Sequence, residues 1–591
     1  MRRFGPWVLL TAVLLSCAGG PESRTPAPEL GSSWLSTVEQ RIQQGRFGEA
    51  YQTVSFLERN PAPGVSPEKL AELKGQIAAG LGESFQDHVR RREYATALSR
   101  FNSLVALGQS VPEWTRARLL AEMAAERAAQ QELPVAFLYA LRALDGGERG
   151  PEFLSLVLRL ATELGNLPVH QRVAGIMRAA GLELPAEYSG KLPGPPPMDR
   201  MVRGTVTLWV DKGIKIEKGV GLPDRVIGSG FFIDPRGYLL TNYHVIQSEV
   251  DPKYEGYSRL FIRPSDRVEA RIPARVVGYD RIFDLALVKA EVVPEYVFSS
   301  AADPELKVGN PILAIGSPAG LENTVTGGIV SATGRRFLQL GDTMQVDVPI
   351  NYGNSGGPLL DAGGQLVGVV FAGIEQFEGV NFVIPFSWVN KTLPGLYRGG
   401  EARHPWLGMA VQETAKGLEV VYTLPGASAA SAGLEPGDVL LRLNGAEYRK
   451  LGPLQSALLD LEPGTLVTLS WQRGSETLSG YLSLAERPFS PLEEALSKDR
   501  RERVLYPLFG MRLAKTGSFL WRESYVVERV LAGSVADETG LSEGDPLTIQ
   551  AWKVNEEERY AMVQIYVKKR KSGFLESAVQ MAAYLERDNF I

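Results

Sequence analysis

The residues best equipped for chemistry in this 591-residue sequence lie in Gly353-Asn354-Ser355-Gly356-Gly357-Pro358. Glycines on both sides of a serine let the backbone turn sharply. Such a turn exposes a hydroxyl beside a nest of N–H groups able to hold an oxyanion. The same Asn, Gly and Ser also spell an ordinary surface turn. A nucleophilic serine needs a base within hydrogen-bond reach and an acid that orients the base. The histidines are His88, His170, His244 and His404, and only His244 falls in the β-rich stretch that carries Ser355. A lone histidine is more often a satisfied core or surface residue, but this stretch offers no second one. Its carboxylates include Asp234, Asp266, Asp280, Asp284 and Asp347. Asp284 stands at the mouth of the apolar run Leu285-Ala286-Leu287-Val288, where a buried strand would hold it rigid.

The elements around these residues are short and strand-like. Between 201 and 400, apolar runs alternate with Gly, Pro and Asp turns, as in Thr205–Val210, Phe231–Ile233, Ala274–Val277, Leu285–Val288, Pro311–Ile315, Gly328–Ser331, Met344–Ile350, Leu366–Phe371 and Asn381–Ile384. Such spacing predicts a β-barrel or sandwich. Gly353 to Gly357 also fits the Gly-x-Ser-x-Gly elbow of α/β-hydrolases, which demands a strand-to-helix turn with the acid and histidine following the serine. Here Pro358-Leu359-Leu360 leads to Gly363-Gly364 and another strand, and the only later histidine is His404. The order His244, Asp284, Ser355 is that of two-barrel serine proteases.

Outside this stretch, residues 31–185 read as helices rich in Ala, Leu, Glu, Arg and Gln. Phe47, Tyr94, Leu133 and Leu167 open similar short segments, and Gly45-x-Phe47-x-x-Ala50 resembles part of the first helix of a tetratricopeptide repeat. An unrelated helical bundle is the alternative, and either would offer a groove to a protein partner of unknown identity. Residues 186–200 form a proline-rich linker. Two similar blocks follow, 401–490 and 491–591. Trp406-Leu407-Gly408-Met409 pairs with Leu508-Phe509-Gly510-Met511, and Gly426–Asp438 pairs with Gly533–Asp545.

Composition sets outer limits. Lys and Arg number 63 against 68 Asp and Glu, a net charge of −5 without a long basic tract, so nucleic acid is not an expected partner. Residues 1–17 read as a signal segment: Arg2-Arg3, an apolar run Trp7–Leu15, then Ser16-Cys17. Cys17 is the only cysteine, and its setting resembles a bacterial lipoprotein box, which implies lipidation there and a tether over 18–30. A plain secretory signal is the alternative. Ala18-Gly19 lack an aspartate after the cysteine, which points to the outer membrane, with the protein facing the periplasm and touching the membrane through its lipid alone. No ligand cluster for a metal and no cofactor site is expected.

Taken together, Gly228-Ser229-Gly230-Phe231, Thr241-Asn242-Tyr243-His244-Val245, Asp284-Leu285-Ala286, Gly316-Ser317-Pro318, Thr324–Ser331 and Gly353–Pro358 resemble, in order, the HtrA/DegP family of periplasmic trypsin-like serine proteases. The resemblance covers roughly 201–390. It implies a multidomain chain in which a two-barrel all-β protease domain (201–400) lies between an all-α repeat region and two α+β PDZ domains. It further implies His244 as general base, Asp284 as its orienting acid and Ser355 as nucleophile. Gly353, Asn354 and Ser355 would form the oxyanion hole, with Tyr352 standing where the family usually has proline. Ile350, Asn381, Phe382 and Val383 would line an apolar specificity pocket. Leu407, Gly408 and Met409 would receive peptide C-termini in the first PDZ domain, and Phe509, Gly510 and Met511 are their counterparts in a degenerate second one. The expected function is cleavage of misfolded or unfolded proteins by a trimer-based assembly regulated by PDZ peptides. The alternatives are a client-binding scaffold or chaperone with little proteolysis, and a protease with one regulated target.

Overall fold

The structure is a computed structural model that describes residues 29–591, apart from 189–195, 255, 266–269, 300–305, 318–323, 337, 351–352, 374–378, 520–521, 556–558, 571–573 and 586–588. The signal segment with Cys17, the tether up to residue 28, part of the proline-rich linker, Asp266, Pro318 and Tyr352 lie outside the described residues.

The helical region is built from four successive pairs: α1 (Glu29–Gln43) and α2 (Phe47–Arg59), α3 (Pro67–Arg90) and α4 (Tyr94–Ala106), α5 (Arg116–Ala129) and α6 (Leu133–Asp145), α7 (Pro151–Glu163) and α8 (Leu167–Ala179). In α3, Leu70, Leu73, Ile77, Leu81 and Phe85 recur at helical spacing and are all buried. Ser66 caps that helix by accepting from the Lys69 N–H, with Pro67 at its first position. Each pair turns through one residue with positive φ: Gly45 (71°), Arg92 (59°), Gln131 (60°) and Gly165 (65°). The anchors Phe47, Tyr94, Leu133 and Leu167 therefore open the second helix of each pair. The Gly-x-Phe-x-x-Ala segment was expected in a first helix; it sits in a second one because the chain breaks at Gly45 just before it.

Two barrels follow. The first contains β1 (Thr205–Glu217), β2 (Val220–Asp234), β3 (Tyr238–Thr241), β4 (Arg259–Pro264), β5 (Ile272–Asp280) and β6 (Leu285–Ala290). Their order is β5-β4-β1-β2-β3-β6, closed by β5–β6 pairing. The second contains β7 (Pro311–Gly316), β8 (Thr324–Arg335), β9 (Thr343–Val346), β10 (Pro358–Asp361), β11 (Leu366–Gly373) and β12 (Asn381–Pro385), closed in the order β10-β11-β12-β9-β8-β7. Alternate residues fill each interior: Val206, Leu208 and Val210 in the first barrel, Met344 and Val346 in the second. The run expected as a strand to Ile350 stops at Val346. Beyond it, Asp347 turns its carboxylate to the Ile329 N–H at 2.6 Å. The β1–β2 hairpin reaches past the barrel, leaving Ile214 and Ile216 76% and 77% exposed.

The first C-terminal block is a sheet of Met409–Thr414, Gly417–Thr423, Val439–Leu443, Leu466–Arg473 and Glu476–Ser483, in that order. The helix Leu451–Leu458 packs into its core through Leu451, Leu454 and Leu458. The second block opens with helices Pro491–Lys498 and Arg501–Phe509. It then runs as a five-stranded meander: Met511–Phe519, Arg522–Val530, Pro546–Asn555, Tyr560–Arg570 and Phe574–Tyr584. Pro546 is tolerated because it is the first residue of its strand. The helical region packs on the first block. The Gln52 amide donates to Ser428 O at 3.1 Å and accepts from the Ser483 N–H at 2.9 Å, while Ser103 Oγ accepts from the Leu466 N–H at 3.0 Å.

Candidate active site

The site lies where the barrels meet. His244 is the second residue of the helix Tyr243–Val250, which follows β3. Asp284 ends the turn before β6, and β3 and β6 are paired with Thr241 opposite Ala286. The two side chains are thus delivered by adjacent strands. Asp284 Oδ2 lies 2.6 Å from His244 Nδ1, and Oδ1 accepts from the His244 backbone N–H at 2.8 Å. The Asp284 carbonyl accepts from the Tyr243 N–H at 3.1 Å and the Asn242 amide at 2.9 Å. Asp280 braces the same turn, its Oδ1 accepting from the N–H groups of Ile282 and Phe283 at 2.9 and 3.1 Å. Burial disfavours charge on His244, but the charge and hydrogen bond of Asp284 outweigh it and raise the imidazole above its ordinary pKa.

Among the described residues, the other candidate acids make different contacts. Asp234 binds Arg236 at 2.7 Å, Asp280 binds His404 at 2.8 Å between buried side chains, and Asp347 faces Ile329.

Ser355 comes from the second barrel, in the turn that precedes β10. Its carbonyl accepts from the Ser229 N–H at 2.8 Å, which ties the turn to β2 of the first barrel. Gly356 has φ of 85°, and a Cβ there would come within 2.2 Å of Ser229 O and 2.4 Å of Thr241 Oγ1. Only glycine lets the serine turn approach the strand end that leads to His244. The Ser229 hydroxyl donates to Gly353 O at 2.6 Å and accepts from the Ser317 N–H at 3.0 Å. The Gly353 carbonyl is thereby drawn back into the protein. Among the described residues, the N–H groups of Gly353, Asn354 and Ser355 donate to no protein acceptor. The Ser355 hydroxyl makes no hydrogen bond to His244 among the described residues. In the sequence Ser229 stands out only as part of a glycine-flanked motif and Asp280 only as one of five candidate acids, and neither is read there as bracing the site. Ser229 acts through contacts made across the fold, with Gly353 and Ser317, whereas Asp280 braces its own turn two and three residues on.

The predicted pocket residues divide. Ile350 is partly buried at the margin of the second-barrel core. Asn381 is buried and its amide donates to Val348 O at 2.7 Å. Val383 is fully buried among Val346, Val348 and Val370, so it belongs to the barrel interior and not to an open pocket wall. Phe382 points to the opposite face of the strand from Val383.

The two predicted peptide-binding loops also differ. Leu407 and Met409 are fully buried, and the N–H groups of Gly408 and Met409 both point at one acceptor, the Ile591 oxygen. In the second loop the Gly510 N–H caps the preceding helix on Tyr506 O at 3.0 Å, and Phe509 and Met511 are fully buried. Having spent that donor on the helix, the second loop lacks the expected geometry for a peptide end.

Comparison with known proteins places these pieces. Residues 228–369 match the trypsin-like peptidase domain family, residues 405–484 the PDZ domain family, and residues 492–585 the TP0546 family PDZ domain. A protein of Marinomonas sp. (strain MWYL1) named probable periplasmic serine endoprotease DegP-like is 33% identical over 340 residues, 55% of this chain and 70% of that protein. One of the same name from Pseudomonas fulva (strain 12-X) is 33% identical over 365 residues, covering 58% and 72%. Another from Ectopseudomonas mendocina (strain ymp) is 30% identical over 423 residues, covering 67% and 85%.

Proposed function

The chain belongs to the DegP-like family of trypsin-like serine endoproteases with PDZ domains, and on that premise we propose that Ser355 is its nucleophile, His244 its general base and Asp284 the acid that holds the base. The observation that carries this reading is the 2.6 Å contact between His244 Nδ1 and Asp284, beside a serine turn tied to the same barrel through Ser229. With Nδ1–H donating to Asp284, the remaining ring nitrogen, Nε2, is free to take the proton from Ser355 Oγ as it attacks a peptide carbonyl. The resulting imidazolium sits against a carboxylate and later gives its proton to the leaving amine. The N–H groups of Gly353 and Ser355 then face the developing oxyanion, where each such donor contributes about 2.7–4 kcal/mol to the transition state. The hydroxyl closes on the base when substrate binds, as hydrogen bonds of this kind often tighten only in the complex.

The substrates are unfolded or misfolded proteins of the periplasm, the compartment named for the relatives. Ile350 and Phe382 favour small or medium apolar side chains at the cleavage site. Peptide binding at residues 405–484 regulates the protease, family resemblance supports trimers, and Cys17 anchors the mature chain by lipid. Among the described residues no helix is long and apolar enough to cross a membrane. Ser355→Ala is the test. It is expected to lower kcat on unfolded casein by a factor on the order of 10⁶ while leaving the thermal melt unchanged. Cleavage that persists in the purified variant would assign the activity elsewhere.

A further inference from the structure

The edge of the first PDZ sheet carries a strand from the far end of the sequence. Residues 589–591 run antiparallel to the strand Met409–Thr414, which has its sheet neighbour, Gly417–Thr423, on the other side. The Ile591 N–H donates to Met409 O at 2.9 Å. The N–H groups of Gly408 and Met409 donate to the Ile591 oxygen at 3.1 and 3.2 Å, and the Val411 N–H donates to Asn589 O at 3.0 Å. Side chains alternate as a strand requires. Ile591 is 2% exposed and joins the core of Leu407, Leu418, Leu451 and Leu454. Phe590 is 1% exposed on the opposite face, with the second PDZ core, its ring centroid 6.1 Å from that of Tyr422. Gly408 has φ of 78°, and a Cβ there would come 2.3 Å from that of Ala427, so the loop that aims both N–H groups requires glycine. This is the geometry of a peptide added to a sheet edge, with the Ile591 side chain in an apolar pocket.

We propose that residues 589–591 are the resident ligand of the first PDZ groove, bound in cis, and that the groove takes from outside only extended peptides of the same chemistry, an aromatic residue followed by a branched aliphatic one. The proposal rests on the PDZ reading of residues 405–484 and is independent of the role of Ser355. The edge accommodates one added strand, and Ile591 already occupies both N–H donors of the loop. A tethered segment competes at an effective concentration on the order of millimolar. An incoming peptide therefore binds with an affinity reduced by the fraction of molecules whose groove is open. The exchange takes place on a surface docked to the protease. Glu413 of the groove strand pairs with Arg336 at 2.5 Å, and Gln455 of the groove helix accepts from the Gly341 N–H at 3.1 Å.

The test uses the full chain carrying Ser355→Ala, so that cleavage plays no part, and a fluorescein-labelled peptide with the sequence of residues 584–591. Fluorescence anisotropy is expected to show at least tenfold tighter binding after deletion of residues 589–591. Ile591→Asp, which leaves the chain length unchanged, is expected to do the same. Amide exchange at Gly408, Met409 and Val411 is expected to be slow in the parent and fast in Ile591→Asp, a readout that holds even if the deletion fails to fold. Adding Gly408→Val to Ile591→Asp is expected to abolish binding. Equal affinity in parent and variants, no binding by any of them, or unchanged exchange in Ile591→Asp overturns the proposal.

Discussion

Asp284 meets His244 from a backbone conformation that few non-glycine residues adopt, with φ at 51°. A conformation of this kind costs on the order of 1–3 kcal/mol and persists because surrounding bonds over-determine it. Both carboxylate oxygens and the carbonyl of Asp284 are engaged, and Asp280 fixes the turn before it. The contact has a signed pH consequence. A general base must be neutral, so activity rises as pH passes through the raised pKa of His244, above the ordinary value of about 6.5. In Asp284→Asn the burial remains and the carboxylate charge is gone. The acid limb of kcat/KM is expected to move to lower pH while kcat falls by about 10⁴, as measured on a fluorogenic peptide. The stabilisation from the pair carries the matching sign. It is fully present below the ordinary imidazole value and is lost as pH rises through the raised one. The place of His244 was legible because it is the one histidine in the β-rich stretch that carries Ser355. The choice among five carboxylates was not, since it depends on which strands become neighbours.

At the scale of elements, the serine turn depends on a single hydrogen atom. Gly356 combines φ of 85° with a Cβ position already filled by Ser229 O and Thr241 Oγ1. Gly356→Ala is expected to destabilise the chain by about 1–3 kcal/mol and to displace Ser355 from the first barrel. The check is a denaturant melt alongside kcat, with a larger loss in activity than in stability. Strand positions inside the barrels were readable because alternating apolar residues such as Val206, Leu208 and Val210 announce a buried face. The outer half of the β1–β2 hairpin was not readable. Asp211-Lys212-Gly213 and Glu217-Lys218-Gly219 are turn-like, and its isoleucines are exposed and pack no core. The capping use of Gly510 escaped for a related reason: Leu-Gly-Met and Phe-Gly-Met look alike, while the helix that consumes the second N–H lies upstream.

At the scale of the whole molecule, one carboxylate joins three parts. Asp460 of the first PDZ block lies 3.3 Å from Arg142 and 3.8 Å from Arg116 of the helical region, and 2.8 Å from Lys391 in the helix that follows the second barrel. Burial opposes its ionisation, but Arg142, Lys391 and Arg116 outweigh it and hold the carboxyl below its ordinary pKa. Asp460→Asn leaves three cations facing one another and is expected to cost about 1–3 kcal/mol. A lowered pKa places this contribution above pH ~3.9, to be lost as pH falls through the depressed value. The difference in Tm between parent and variant is therefore expected to shrink on acidification. Nothing local in the sequence marks Asp460, because its partners lie far away along the chain.

The strand at 589–591 has a meaning for solubility as well. An unpaired sheet edge is a row of open donors and acceptors, and such rows recruit strands from other molecules. Residues 589–591 cover the 409–411 edge from within. Whenever they leave, the released segment and the bared edge are complementary halves that can close between two copies as readily as within one. The same backbone contact thus stands between a self-contained chain and one that associates with its own kind.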